Sequence, residues 1–174
     1  MSKEDAVSIL TDAVEMEFQG RQFYEDVATR AKHPRTRAVF SSLANHERRH
    51  AEVIAEELAR IKEGKEWKSL DELRSSLGGH PRLSVFEEPR FRRLEFDPAA
   101  GEIEALKLGI EVEKKSIDYY RNAGARSLEP KAREVFNWLV GQEAGHLIIL
   151  EAEYEYRSNP GYYYDNMEFS LEVM

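Results

Sequence analysis

Residues 39–54 read VFSSLANHERRHAEVI, and residues 135–150 read VFNWLVGQEAGHLIIL. Laid over one another they agree at Val39/Val135, Phe40/Phe136, Leu43/Leu139, Glu47/Glu143 and His50/His146, each pair 96 residues apart. The same offset continues outward without a gap. Leu10 falls on Leu106, Glu15 on Glu111, Glu17 on Glu113, Tyr24 on Tyr120 and Pro34 on Pro130. A fixed period of this kind is an internal repeat, and it decides the architecture before any single element is assigned.

Each repeat predicts two long helices. Gly and Pro are few and clustered, and the stretches between them are rich in Ala, Glu, Leu, Arg and Lys. Apolar residues recur at helical spacing. The first helix is expected from about Lys3 to Ala31, with Leu10, Ala13, Val14, Tyr24 and Val27 on one face. The second runs from about Arg35 to Lys62, with Pro34 in its first turn and Gly64 at its end. The third runs from about Pro98 or Ala99 to Arg126, and the fourth from Pro130 to Arg157. Between the pairs lies a connection, 64–98, holding Gly64, Gly78, Gly79, Pro81, Pro89 and Pro98. Within it a short helix is expected over Ser69–Leu77, with Ser69 as N-cap and Glu72 completing the capping box. The expected fold is all-α: one ferritin-like four-helix bundle spanning 1–174, made of helix pair 3–62, crossover 64–98, helix pair 99–157 and an aromatic tail 158–174.

Composition narrows the function. There is no cysteine among the 174 residues, which removes thiol catalysis, disulfides, iron–sulfur clusters and cysteine zinc sites from this chain. The net charge is −8 with no basic block, so no nucleic-acid or anionic-membrane partner is expected. No apolar run approaches the ~20 residues of a membrane span. The opening MSKEDAVSIL lacks the order of a signal peptide, and a cytoplasmic location is expected.

The chemistry sits where charge interrupts the apolar stripes. On the second helix the stripe reads Phe40, Leu43, Glu47, His50, Ile54; on the fourth it reads Phe136, Leu139, Glu143, His146, Leu150. Each Glu and His stand at i and i+3, about 60° apart on one helical face. Glu17 and Glu113 lie on the matching faces of the first and third helices, each 30 residues before the Glu of its own ExxH. Both halves therefore bring their acids to one level of the bundle. Four carboxylates in an apolar interior must pair, protonate or bind metal. Two divalent cations balance four carboxylate charges, and two neutral imidazoles complete the set. Glu17, Glu47, His50, Glu113, Glu143 and His146 are thus the candidate metal ligands, in a donor set that suits iron, with manganese or a mixed pair as alternatives. The bland alternative is a duplicated bundle whose buried polar groups are held by water or ion pairs. Glu15 and Glu111, about 160° away from the ligand face, are read as surface acids.

A rival pattern is His46-Glu47-Arg48-Arg49-His50, which matches the HExxH of zinc peptidases. It fails to repeat: Gln142 stands where His46 does, whereas Glu47 and His50 recur. His46 is therefore expected beside the ligands or at the surface. Tyr24 and Tyr120, two turns beyond Glu17 and Glu113, are weaker candidates, either to hydrogen-bond a ligand carboxylate or to buffer a one-electron oxidant; a satisfied core tyrosine is the alternative. Glu57 and Glu153 also match across the repeat, as guides for incoming metal or as solvated helix ends. Tyr162, Tyr163, Tyr164 and Phe169 are expected to pack on the bundle or on a neighbouring subunit.

The segments AVEMEFQGRQFYEDVA (13–28), LANHERRHAEVI (43–54), GIEVEKKSIDYYRNAG (109–124) and WLVGQEAGHLIILE (138–151) resemble the rubrerythrin-type ferritin-like di-iron proteins. The resemblance extends from about residue 5 to 157. It implies a pair of iron ions in an Fe–O–Fe type centre, bridged by Glu47 and Glu143, and reduction of hydrogen peroxide or of O2 with Fe(II) oxidation. The same six-residue pattern occurs in bacterioferritin, so an iron-storage ferroxidase is the alternative, followed by a non-catalytic metal-binding bundle. Rubrerythrins append a four-cysteine rubredoxin domain, which this chain lacks; the implied electron donor is a separate rubredoxin or reductase. They also carry a further acid near the site, whereas Ile110 and Ser116 flank Glu113 here. A homodimer or larger homo-oligomer is the implied assembly.

Overall fold

The computed structural model describes residues 2–77 and 101–159. It contains α1 (Lys3–Arg30), α2 (Pro34–Lys62), α3 (Leu70–Leu77), α4 (Glu102–Arg126) and α5 (Pro130–Ser158), with no strand among the described residues. At ~1.5 Å per residue the four long helices are each roughly 40 Å long. The expected tail contacts of Tyr162, Tyr163, Tyr164 and Phe169, and the crossover beyond Leu77, lie outside the described residues.

Local chemistry explains each boundary. Ser2 and Asp5 form a reciprocal capping box on α1, with Asp5 N–H donating to Ser2 Oγ at 3.1 Å and Ser2 N–H to Asp5 Oδ2 at 3.0 Å. Pro34 and Pro130 occupy the first turns of α2 and α5, where a missing N–H costs nothing. The turns into those helices repeat as well. Arg37 donates from Nη2 to the Ala31 carbonyl at 2.8 Å, and Arg133 donates to the Ser127 carbonyl at 3.0 Å. Each guanidinium thus closes the carbonyl end of the preceding helix. Gly64 ends α2 with φ +77°, a left-handed conformation that only glycine adopts without strain. α4 starts at Glu102, with Gly101 as its N-cap.

The three-residue turn 31–33 makes α1 and α2 antiparallel, and 127–129 does the same for α4 and α5. The second pair faces the first across a pseudo-two-fold axis, α1 beside α4 and α2 beside α5, in a ferritin-like bundle. Two apolar clusters fill it. One gathers Leu10, Val14, Ile54, Leu58, Phe136 and Leu139; the other gathers Phe23, Val27, Phe40, Leu43, Leu106 and Leu150. Along every helix the change from one cluster to the other falls at the predicted acids: Glu17, Glu47/His50, Glu113 and Glu143/His146. The bundle is two hydrophobic cores with a polar layer between them.

Residues 65–77 do more than connect. Trp67 is 7 % exposed and meets Phe136 at a ring-centroid distance of 5.7 Å, while Leu73 is fully buried. The short helix expected from Ser69 is present with its capping box: Ser69 N–H donates to Glu72 Oε2 at 2.7 Å, and Glu72 N–H to Ser69 Oγ at 3.3 Å. This segment seals the bundle end that holds Ile54, Leu58 and Ile61.

Candidate metal centre

α1 and α4 each supply one glutamate to the polar layer, and α2 and α5 each supply a Glu and a His one turn apart. All six residues are buried, none more than 4 % exposed. The His50 Nδ1 atom lies 3.3 Å from Glu17 Oε2, 3.5 Å from Glu47 Oε2 and 3.1 Å from Glu143 Oε1. The His146 Nδ1 atom lies 3.0 Å from Glu47 Oε1, 3.6 Å from Glu113 Oε1 and 3.0 Å from Glu143 Oε2. The six acids and bases therefore fall into two roles. Glu47 and Glu143 each turn one oxygen to each imidazole. Glu17 faces only His50, and Glu113 only His146.

Close as they are, these atoms do not satisfy one another. Glu17 Oε2, Glu47 Oε1, both Glu143 oxygens and both histidine Nδ1 atoms are buried without an aligned hydrogen-bond partner. Native interiors rarely leave such groups unpaired, because each forfeits its hydration. Ligand atoms of Glu47, His50, Glu143 and His146 lie within 4.8 Å of one another, close enough to share ions. The orphaned, convergent lone pairs and the all O/N donor set fit a pair of divalent cations.

The two tyrosines cross between the halves. Tyr24 of α1 donates its hydroxyl to Glu113 Oε1, and Tyr120 of α4 donates to Glu17 Oε1. Both hydroxyls are buried, and burial together with the facing glutamate charges pushes their pKa values well up, so they remain donors. Gly109 leaves the space for one of them: a Cβ there would come within 3.4 Å of Tyr24 Cε1 and 3.2 Å of Leu150 Cδ1.

Without metal the layer balances its charge with protons. Burial pushes the Glu17 carboxyl well up, helped by the charges of Glu143 and Glu47. Burial and the same two charges lift Glu113 to about 8, against the opposing pull of His146. Glu47 is also buried, but the nearby Glu17 carboxyl and the His146 and His50 imidazoles outweigh that cost and lower it. In Glu143 burial and the Glu47 charge are outweighed by His50 and His146. Desolvation works against protonated His50 and His146, yet the surrounding carboxylates raise both, His146 to about 12. Burial and the neighbouring charges thus push Glu17 and Glu113 toward the neutral form, and Glu47, Glu143, His50 and His146 toward the charged form.

His46 does not join the ligand atoms. Its Nδ1 lies 3.1 Å from the outer nitrogen of His146, Nε2, and the two rings stack at 5.2 Å. His146 in turn stacks on His50 at 5.3 Å. The HExxH reading needs His46 and His50 on one ion; here His46 backs onto another histidine.

The reading of Glu57 and Glu153 as solvated helix ends is overturned: both are at most 1 % exposed. Glu153 accepts from Thr36 Oγ1 at 2.6 Å and Arg35 Nε at 2.7 Å, and Glu57 accepts from Lys68 N–H at 3.2 Å. They tie the elements together away from the metal-competent layer. Glu15 is half-buried and Glu111 exposed, on the outside as expected. No described helix is long and apolar enough to cross a membrane.

A family model described as Rubrerythrin matches residues 8–154. Among solved structures, the chain is similar to a two-domain protein from Anabaena variabilis containing DJ-1/ThiJ/PfpI-like and ferritin-like domains, with a TM-score of 0.68 and 16 % identity. The match covers 91 % of this chain and 41 % of that one, so this chain spans about two-fifths of its length. At that identity the likeness bears on the fold alone. No curated protein sequence matches the chain.

Proposed function

The chain belongs to the rubrerythrin family, and from that membership and the buried Glu/His layer we propose that it is a di-iron oxidoreductase that reduces hydrogen peroxide. The carrying observation is that Glu47 and Glu143 each face both imidazoles, while Glu17 and Glu113 each face one. That is the division of labour a paired centre needs: two shared carboxylates and one terminal carboxylate plus one imidazole per ion. When bound, the iron pair supplies two electrons, one from each Fe(II), and Lewis acidity toward an oxygen substrate.

The protein's own part is positioning, charge balance and exclusion of water. Tyr120 holds Glu17 Oε1 and leaves Oε2, the oxygen that faces His50, for an ion, while Tyr24 holds Glu113 Oε1, the oxygen that faces His146. The apolar clusters on both sides keep the layer dry, which strengthens every charge interaction inside it. Reduction of peroxide to two waters consumes two electrons and two protons, and a separate donor, such as a rubredoxin or a reductase, returns the electrons.

Stopped-flow oxidation of the anaerobically Fe(II)-loaded protein separates the candidate activities. Peroxide should oxidise the centre much faster than O2, with about one peroxide consumed per pair. Faster oxidation by O2 with continued iron uptake beyond two per chain would replace this reading by ferroxidase and storage. Tight metal binding without either oxidation would leave a structural metal pair.

A further inference from the structure

The repeat is closely kept at the six polar residues and broken directly behind them. Behind His146 stands His46 of α2, its Nδ1 3.1 Å from His146 Nε2. The symmetric position behind His50 is occupied by Gln142 of α5, and among the described residues no hydrogen bond joins it to His50. The ring of His50 instead meets Trp138 at 80° and 5.8 Å. Trp138 is itself a departure, since its mate in the first repeat is Ser42. One imidazole is thus backed by a second imidazole, the other by an indole.

A ligating histidine is fixed by what its other nitrogen does. If Nε2 keeps its hydrogen and donates it, Nδ1 presents a lone pair, the ring cannot turn, and the ligand nitrogen becomes more basic. His146 turns Nδ1 toward Glu47 and Glu143 and Nε2 toward His46, the arrangement this requires. We propose that His46 is a positioning residue that accepts the Nε2 hydrogen of His146 and makes the two halves of the centre unequal, the His146 side binding a divalent ion more tightly than the His50 side. This rests on the paired-metal reading. It also gives the HERRH sequence a role distinct from a zinc site: His46 serves the layer from behind rather than as a ligand.

The test is calorimetric titration of the metal-free protein with Co(II), an air-stable divalent probe for O/N donors, with elemental analysis of the saturated product. Wild-type protein should take two Co(II) ions in two affinity classes. His46→Leu should weaken the tighter class by about 10–100-fold, the usual effect of losing such a partner. The second class should stay unchanged. His46→Gln, which places the residue of the second repeat in the first and keeps an acceptor, should restore most of the affinity, and Gln142→Leu should leave both classes alone. Two ions bound by His46→Leu at wild-type affinities would overturn the role of His46 and leave the centre standing. So would equal weakening of both classes, or failure of the Gln variant to rescue. A wild-type protein that binds no ion would overturn the paired centre itself, and this inference with it.

Discussion

Tyr120 sits two turns beyond Glu113 on α4, yet its hydroxyl donates across the bundle to Glu17 of α1. Tyr24 returns the same bond from α1 to Glu113. Each terminal glutamate is therefore held by a residue of the other repeat, and the two helix pairs are locked at the level of the polar layer. Tyr120→Phe removes one donor without changing shape. It should weaken metal binding on the Glu17 side by about tenfold, with the Glu113 side retained. A binding isotherm resolves the two; unchanged affinity would make Tyr120 a packing residue only.

The shared carboxylates should behave differently from the terminal ones. Glu143 faces both His50 and His146, whereas Glu17 faces His50 alone. Glu143→Ala should abolish tight binding of both ions, and Glu17→Ala should cost one. Elemental analysis after desalting reads this directly. Equal losses in the two variants would remove the distinction between bridging and terminal roles.

The metal-free protein should lose stability as pH rises. Burial, with the Glu47 and Glu143 charges, lifts the folded-state pKa of Glu113 from 4.5 to about 8. A raised pKa means that folding takes up a proton, so the contribution is complete below 4.5 and is lost as pH climbs through about 8. For His146 the carboxylates overcome desolvation and raise the pKa from 6.5 to about 12, which adds a loss of the same sign. The melting temperature should fall between about pH 5 and about pH 8, and Glu113→Gln should flatten that slope. Metal binding has the opposite dependence: it needs ionised carboxylates and free Nδ1 lone pairs, so it should release protons and weaken as pH falls. A melting temperature that rises over this range would contradict the proton-balanced layer.

Thr36 offers a control away from the metal. Its hydroxyl donates to the buried Glu153 at 2.6 Å. Thr36→Val should cost about 1–3 kcal/mol by removing a partner of a buried carboxylate. For a chain of this size that lowers the melting temperature by about 2–4 °C per kcal/mol. Metal stoichiometry should be unchanged. Loss of metal in this variant would place Glu153 in the binding apparatus.

What the sequence disclosed follows from the repeat. Glu47, His50, Glu143 and His146 interrupt apolar stripes at the same offset, and buried charge at matched positions has few explanations. The helix ends at Gly64, Pro34 and Pro130 were legible from backbone chemistry alone. Partners across the bundle were not. Tyr24 and Tyr120 were visible as core tyrosines, but whether each bonds within its own repeat or across depends on how the pairs face one another. Glu57 and Glu153 looked like helix-end acids because their partners, Lys68 N–H and Thr36, lie outside their own helices. One signal was present: the α2 stripe extended back one turn from Phe40 lands on Thr36. Trp67 and Leu73 were hidden in a stretch with no sustained periodicity, where a short capped helix carries too few residues to show a face. His46 could be seen to break the repeat, but only the structure places it on His146.

The most direct test of the paired centre is the iron content of the wild-type chain after anaerobic Fe(II) loading and desalting. Two irons per chain, falling to none in Glu143→Ala, is the expected result. One metal per chain, or a full pair retained without Glu143, would contradict it.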